Sequence, residues 1–473
     1  MTAMTAPATS APWRPWERKA PGLPPLVMAY LVLMMLPIQV QVGPLFLTSL
    51  RVLLLAVTVP LLVRVLRGGA GGVLAADLLL VGHVAWVAVA LARNNPGMLV
   101  QNAGANAVEL LGGYLIARCY VRDLATLLAL FRWLAAILAL LLPLTLYEAV
   151  TGTSLILEAL RALPGIGTEG NVNMPQRLGL NRVQGAFPHP IHFGVFASSA
   201  FALVFVGLSG QVSGAVRWLA SLVILVSVAA SLSSGALLAV VLQILLIGWW
   251  LLFRRRARPW WPLVALVVLA YVAVDLLSNR RPVDVFISYA TFSSGTAYWR
   301  KLIFQFGMDN VWANPIFGLG FRDWIRPWFM VTSSVDNFWL VMAMRYGLPG
   351  FLLIAGGWAW GLWRVMRRDF SADPLLARAR LAWVFVFLGL TFSLTTVHIW
   401  TTVYSYVFFL FGAGLWMIRH APEAPGPQAP AASPAGPGPG PGPRSGARPA
   451  AGAPSPGPSP GPRFTRFPSR PGR

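Results

Sequence analysis

The 473-residue sequence predicts an all-α, polytopic transmembrane helical bundle. Three observations carry that expectation. Hydrophobic residues make up 56% of the chain and charged residues only 11%, with a mean hydropathy of +0.65. The apolar residues gather into runs of about 20, the length a helix needs to cross a bilayer's hydrocarbon core. The cations, 37 Lys and Arg against 15 Asp and Glu, fall between those runs rather than along one stripe, so membrane lipids and anionic ligands are expected as partners and nucleic acid is not.

Residues 1–24 are Pro-rich and basic and read as a cytoplasmic segment ahead of a retained signal-anchor helix. Roughly twelve apolar runs follow, at 25–42, 45–65, 73–93, 98–117, 123–147, 189–208, 215–231, 234–252, 260–278, 335–357, 380–396 and 402–418. The seventh and eighth are divided only by SLSSG at 231–235. With the N-terminus inside, the even-numbered runs end beside Arg64 and Arg67, Arg118 and Arg122, Arg217, Arg254 to Arg256, and Arg364, Arg367 and Arg368. Twelve spans with both termini cytoplasmic therefore satisfy the positive-inside rule. The transmembrane domain is expected over 25–418, with two periplasmic segments at 148–188 and 279–334. Residues 419–473 are a low-complexity Pro/Gly/Ala stretch, expected to form a disordered cytoplasmic tail. Cys119 stands alone, which excludes an intrachain disulfide and a cysteine-based metal site; it reads as a small apolar filler near a helix end.

The chemistry-bearing residues cluster in the two outer segments. Segment 279–334 holds Arg280, Arg281, Arg300, Lys301, Arg322 and Arg326 against Asp284, Asp309 and Asp323. Exported loops are ordinarily poor in Arg, so this surplus points to an anionic ligand, and the planar guanidinium fork suits phosphate oxygens. Snorkelling to lipid headgroups is the alternative for Arg280, Arg281 and Arg326. In GLNRVQGAFPHPIHFG (178–194), Arg182, His189 and His192 crowd the start of the sixth run, either to meet a ligand or to cap and pack the helix. The two His have no carboxylate nearby in sequence, so no metal is expected. NPIFGLGFRDW (314–324) reads as a turn whose Gly318 and Gly320 let backbone approach a partner closely. Within the apolar runs, Glu109 and Arg132 could pair. In SSVDNFWLVMAMRYGLPGFLL (333–353), Asp336 and Asn337 stand before a helix that also carries Arg345. No nucleotide-binding or hydrolase motif is present, and no cofactor is expected.

NRVQGAFPHPIHFG, SLSSGALLA, YWRKLIF followed by NPIFGLGFRDW, and SVDNFWLVMAMRYGLPGFL occur in this order, with a large outer loop before the last. Together they resemble the bacterial O-antigen ligase and O-antigen polymerase family over about residues 45 to 418. The resemblance implies a GT-C-like inner-membrane glycosyltransferase. Such an enzyme takes an undecaprenyl-diphosphate-linked glycan on the periplasmic side and transfers it to a hydroxyl of another glycan or of lipid A core, for lipopolysaccharide, exopolysaccharide or a related surface polymer. It implies that Arg182 and Arg300 grip the donor diphosphate; Arg322, Asn337, His189, His192 and Arg345 are further substrate-binding candidates from their own placement in the outer segments and at helix starts. It also implies that Asp336 stands where the family most often has the His of a His-Asn pair, the proposed base, so Asp336 is the candidate catalytic residue, either accepting the proton of the acceptor hydroxyl or orienting that hydroxyl through a hydrogen bond. The chain departs from the family at that position, and its SLSSG lacks the Arg that often follows the Ser. A transporter or flippase of an anionic lipid-linked glycan is the alternative, although its polar groups would be expected near the bilayer midplane rather than at outer helix ends.

Overall fold

The computed structural model describes residues 22–420 other than 44, 257–259, 280–284 and 286–293. The expectations for residues 1–21, for the tail from 421 and for Arg280, Arg281 and Asp284 lie outside the described residues. The chain runs α1 (Pro25–Met35), β1 (Ile38–Val42), β2 (Leu45–Thr48), α2 (Ser49–Leu66), α3 (Ala75–Asn94), α4 (Leu99–Tyr120), α5 (Leu124–Thr151), α6 (Leu155–Arg161) and β3 (Gly167–Thr168). It continues through α7 (Pro190–Ala202, extended by a π turn to Gly207), α8 (Gly214–Ala230), α9 (Ser234–Phe253), α10 (Trp261–Leu277), α11 (Ser294–Ala313), α12 (Phe338–Met366), α13 (Pro374–Ser393) and α14 (Thr401–Gly414, closed by a 3₁₀ turn to Ile418).

Eight described helical stretches are long and apolar enough to cross a membrane: α2, α3, α5, α7 with its π turn, α9, α12, α13 and α14 with its 3₁₀ turn. Three shorter apolar helices, α1, α8 and α10, accompany them. The chain is thus a predominantly helical, multi-pass membrane protein. SLSSG does separate two helices, because α8 ends at Ala230 and α9 begins at Ser234.

The first predicted run is corrected. Its second half is a β-strand: β1 pairs antiparallel with β2, Gln39 opposite Thr48 and Val42 opposite Leu45, and β3 adds to the other edge with Ile38 opposite Thr168. The residues IQVQV alternate apolar and polar with period two, and β-branched side chains fit a pleated strand better than a helix. Summed hydropathy hides that period. The sheet ties the segment after α6 to the start of α2.

The bundle is held by apolar packing and a few buried polar ties. α14 packs on α4, α12 on α3, α2 on α4, and α9 on both α7 and α13. The suggested Glu109–Arg132 pair is replaced by another. Arg51 of α2 meets Glu109 of α4, with Nε and Nη2 both 2.7 Å from Oε1, and its Nη1 donates to the Phe46 carbonyl at 2.8 Å. Asp77 is likewise paired, with Arg118 at 3.1 Å. Cys119 is buried in the last turn of α4, as a filler residue should be.

Candidate active site

The polar groups singled out in the sequence converge on one end of the bundle, where α5, α8 and α13 finish and α7, α9, α12 and α14 begin. Glu148, near the end of α5, accepts the backbone N–H groups of Gln184 at 2.7 Å and Gly185 at 3.0 Å. The N–H of Asn181 donates to the Ala149 carbonyl, and that of Val183 to the Ala230 carbonyl. These bonds pin the chain on both sides of Arg182, so the buried guanidinium is fixed beside the turn between α8 and α9.

Three arginines meet at that turn. Arg182 Nε lies 3.5 Å from the Ser231 carbonyl, Arg177 Nη1 donates to the Leu232 carbonyl at 2.9 Å, and Arg300 Nη2, reaching over from α11, donates to Ser234 Oγ at 3.1 Å. Leu232 adopts φ +46°, a strained left-handed conformation for a γ-branched residue. Burial, and then the charge of Arg177, pull the Arg182 pKa down to about 10, against the opposing pull of Asp336. The Arg300 pKa is also lowered, by burial first; Asp336 opposes this and Arg177 adds to it. Nε and Nη1 of Arg300 have no hydrogen-bond partner among the described residues. A cluster of like charges that depresses its own basicity is a site with unmet demand for an anion.

Asp336 connects this cluster to a cavity of about 450 Å³. Its carboxylate lies within electrostatic reach of Arg182, Arg300 and His189. The cavity walls include Asp336, His189, Arg322, Arg345, His398 and Trp400. Asn337 instead caps α12, its Oδ1 accepting the Leu340 N–H at 3.0 Å. His192 is buried behind the cavity wall with its ring 4.0 Å from that of Trp400. His189 caps α7, Nδ1 accepting the Ile191 N–H at 3.1 Å, and its pKa is pushed down to about 4 by burial and by Arg182, against Asp336.

The remaining wall is the loop 314–324, docked by backbone onto α12. The N–H groups of Leu319 and Gly320 donate to the Met344 and Arg345 carbonyls, and that of Leu348 to the Pro315 carbonyl. Gly318 has φ +65°, and a Cβ there would sit 2.5 Å from the Arg345 carbonyl; Gly347, at φ +70°, breaks the α12 helix to receive the loop. The close approach expected at Gly318 and Gly320 is therefore made within the protein, by Gly318 to the Arg345 backbone and by Gly320 to the Asn94 and Asn95 side chains. It places Arg322 at the cavity, with Nη2 on Asn94 Oδ1 at 3.1 Å, and sets the Arg345 guanidinium 5.0 Å over the Phe321 ring.

Residues 219–355 match the family model described as O-Antigen ligase. The matched span runs from α8 into α12 and covers less than a third of the chain. No curated protein matches the chain. The matched span contains Arg300, Arg322, Asp336, Asn337 and Arg345, whereas Arg182, His189, His398 and Trp400 reach the site from outside it. Sequence reasoning overlooked Arg177, Glu148, His398 and Trp400. Each is a lone residue in a loop, in a turn or near a helix end, without a spacing that marks it, and only the fold brings it to the site.

Proposed function

We propose that this O-antigen ligase family protein transfers or polymerises an undecaprenyl-diphosphate-linked glycan at the periplasmic face of the inner membrane. The observation that carries the reading is the convergence of Arg177, Arg182 and Arg300 on the Ser231–Ser234 turn, next to a polar cavity holding Asp336. Twelve spans with cytoplasmic termini would put this end of the bundle on the periplasmic side.

The glycosidic bond to a lipid diphosphate breaks with its electron pair leaving on the phosphate oxygen. Fixed guanidinium forks shielded from bulk water stabilise that charge more in the transition state than in the ground state, which is the condition for raising turnover. In this mechanism arginine takes the place a metal ion holds in other transferases. The unpartnered Nε and Nη1 of Arg300 lie on different edges of the guanidinium and are two donors available to separate oxygens of a diphosphate. Asp336, between the arginines and the cavity, receives a hydrogen bond from the acceptor hydroxyl and orients it toward the anomeric carbon. Arg322, Arg345 and His189 line the space for the sugars.

The test is incubation of purified full-length protein with an undecaprenyl-diphosphate-linked oligosaccharide, with and without a lipid A core acceptor. Growth on the lipid-linked glycan alone identifies a polymerase, and growth only on the core identifies a ligase. Movement of the glycan across a vesicle membrane with no new glycosidic bond would overturn the proposal in favour of a transporter.

A further inference from the structure

His398 enters the cavity from the turn between α13 and α14, outside the matched O-antigen ligase span. Its backbone is tied to the segment that carries Asp336, because the Phe338 N–H donates to the carbonyls of Leu394 and Val397 at 2.9 and 3.0 Å. Its ring is held between two aromatic neighbours: Phe338 stacks on it at 6.1 Å with 22° between planes, and Trp400 lies at 5.7 Å and 32°. Thr401, following Trp400, takes φ +47°, so the turn keeps this shape at a cost in backbone strain. Nδ1 of His398 is buried and has no hydrogen-bond partner among the described residues. A rigidly held imidazole with an unclaimed nitrogen, in the same cavity as the carboxylate that faces the arginines, is placed for proton transfer.

We propose that His398 is the proton acceptor of the transfer reaction and that Asp336 positions the hydroxyl. The assignment rests on the glycan-transfer reading above. In the step, the acceptor hydroxyl oxygen bonds to the anomeric carbon, and the carbon–oxygen bond to the diphosphate breaks with its electrons remaining on phosphate. The hydroxyl proton passes to Nδ1, making an imidazolium that later releases it to water. The charged and titratable groups facing His398 are Asp336 and Arg345 from the α12 side, the neutral imidazoles of His189 and His192 from α7, and Arg322 and Asp323 from the docked loop. Burial and Arg345 hold the His398 pKa down to about 3, so the imidazole is neutral and able to accept a proton at neutral pH. The negative charge of a bound diphosphate raises that pKa toward the working range as the reaction proceeds.

The test uses full-length protein with an undecaprenyl-diphosphate-linked oligosaccharide as donor and, in separate reactions, the same lipid-linked glycan and lipid A core as acceptors, comparing the wild type with His398→Gln, His398→Ala and Asp336→Asn. His398→Gln should lower kcat by about 10² to 10⁴ with little change in donor KM, and abolish the acid limb of the kcat–pH profile. Added imidazole should restore part of the turnover of His398→Ala, which a purely structural role would not allow. Asp336→Asn should lower turnover while keeping the acid limb. Thermal unfolding in detergent confirms that the variants fold. A folded His398→Gln enzyme within threefold of wild-type kcat, or an acid limb that vanishes in Asp336→Asn and persists in His398→Gln, would overturn the assignment while leaving the transfer reading intact. Failure of the wild type to form any glycosidic bond would remove both.

Discussion

Arg300→Lys is the sharpest perturbation of the arginine cluster. The substitution keeps a positive charge on α11 but replaces a planar fork with a single ammonium. In the structure Arg300 uses Nη2 to hold Ser234 Oγ at 3.1 Å and leaves Nε and Nη1 unpartnered. If those two donors take the diphosphate, each charge-assisted contact contributes about 1.5–3 kcal/mol. Lysine can keep one of them, so Arg300→Lys should lose about 10- to 150-fold in kcat/KM, and Arg300→Ala, losing both, about 10² to 10⁴. The assay is chain growth on an undecaprenyl-diphosphate-linked oligosaccharide, paired with binding of the unreacted donor to separate grip from turnover. Arg182→Lys should behave similarly but lose stability as well, because Arg182 is buried and packed beneath the turn. Full activity in Arg300→Lys would refute the argument, since a point charge would then suffice and the fork would have no role.

Three further outcomes follow from the same geometry. Arg51→Ala leaves the buried Glu109 without its partner and should destabilise the bundle by about 3–5 kcal/mol, whereas Glu109→Gln should be milder; thermal unfolding in detergent measures both. The His189 pKa is about 4 in the folded chain against an ordinary 6.5, so the unfolded state binds the extra proton. Stability should therefore be full above pH 6.5 and fall as pH drops toward 4, by about 1–2 kcal/mol after solvent screening, and His189→Gln should remove that part of the pH dependence. Trp328, 92% exposed on the loop after α11, offers a topology test: a Trp328→Cys, Cys119→Ala protein should react with an impermeant thiol reagent added to intact spheroplasts, and absence of labelling would place this loop on the cytoplasmic side.

The membrane class and the helical repertoire were legible without coordinates. A run of about 20 apolar residues in lipid has one economical backbone solution, the helix that satisfies its own hydrogen bonds, so composition and run length determine it locally. The end of the bundle where the candidate site lies was legible too, because Arg182, His189, Arg300, Arg322 and Asp336 all lie at predicted helix ends or in long loops. The tertiary structure decided which of these act together. Arg177 and Arg300 lie far apart in sequence yet both grip the Ser231–Ser234 turn. Glu109 chose Arg51 over Arg132, since pairing depends on which helix faces which rather than on charge alone. The hairpin at 38–48 escaped a hydropathy sum because a strand's alternation and a helix's stripe have the same mean. His398 had no sequence signal at all: a single imidazole in a turn becomes part of a site only when α12 and the α13–α14 turn are sewn together at Phe338. Local sequence thus determined the elements and their environment, whereas contacts between residues distant in the chain, which carry no local pattern, were decided by packing.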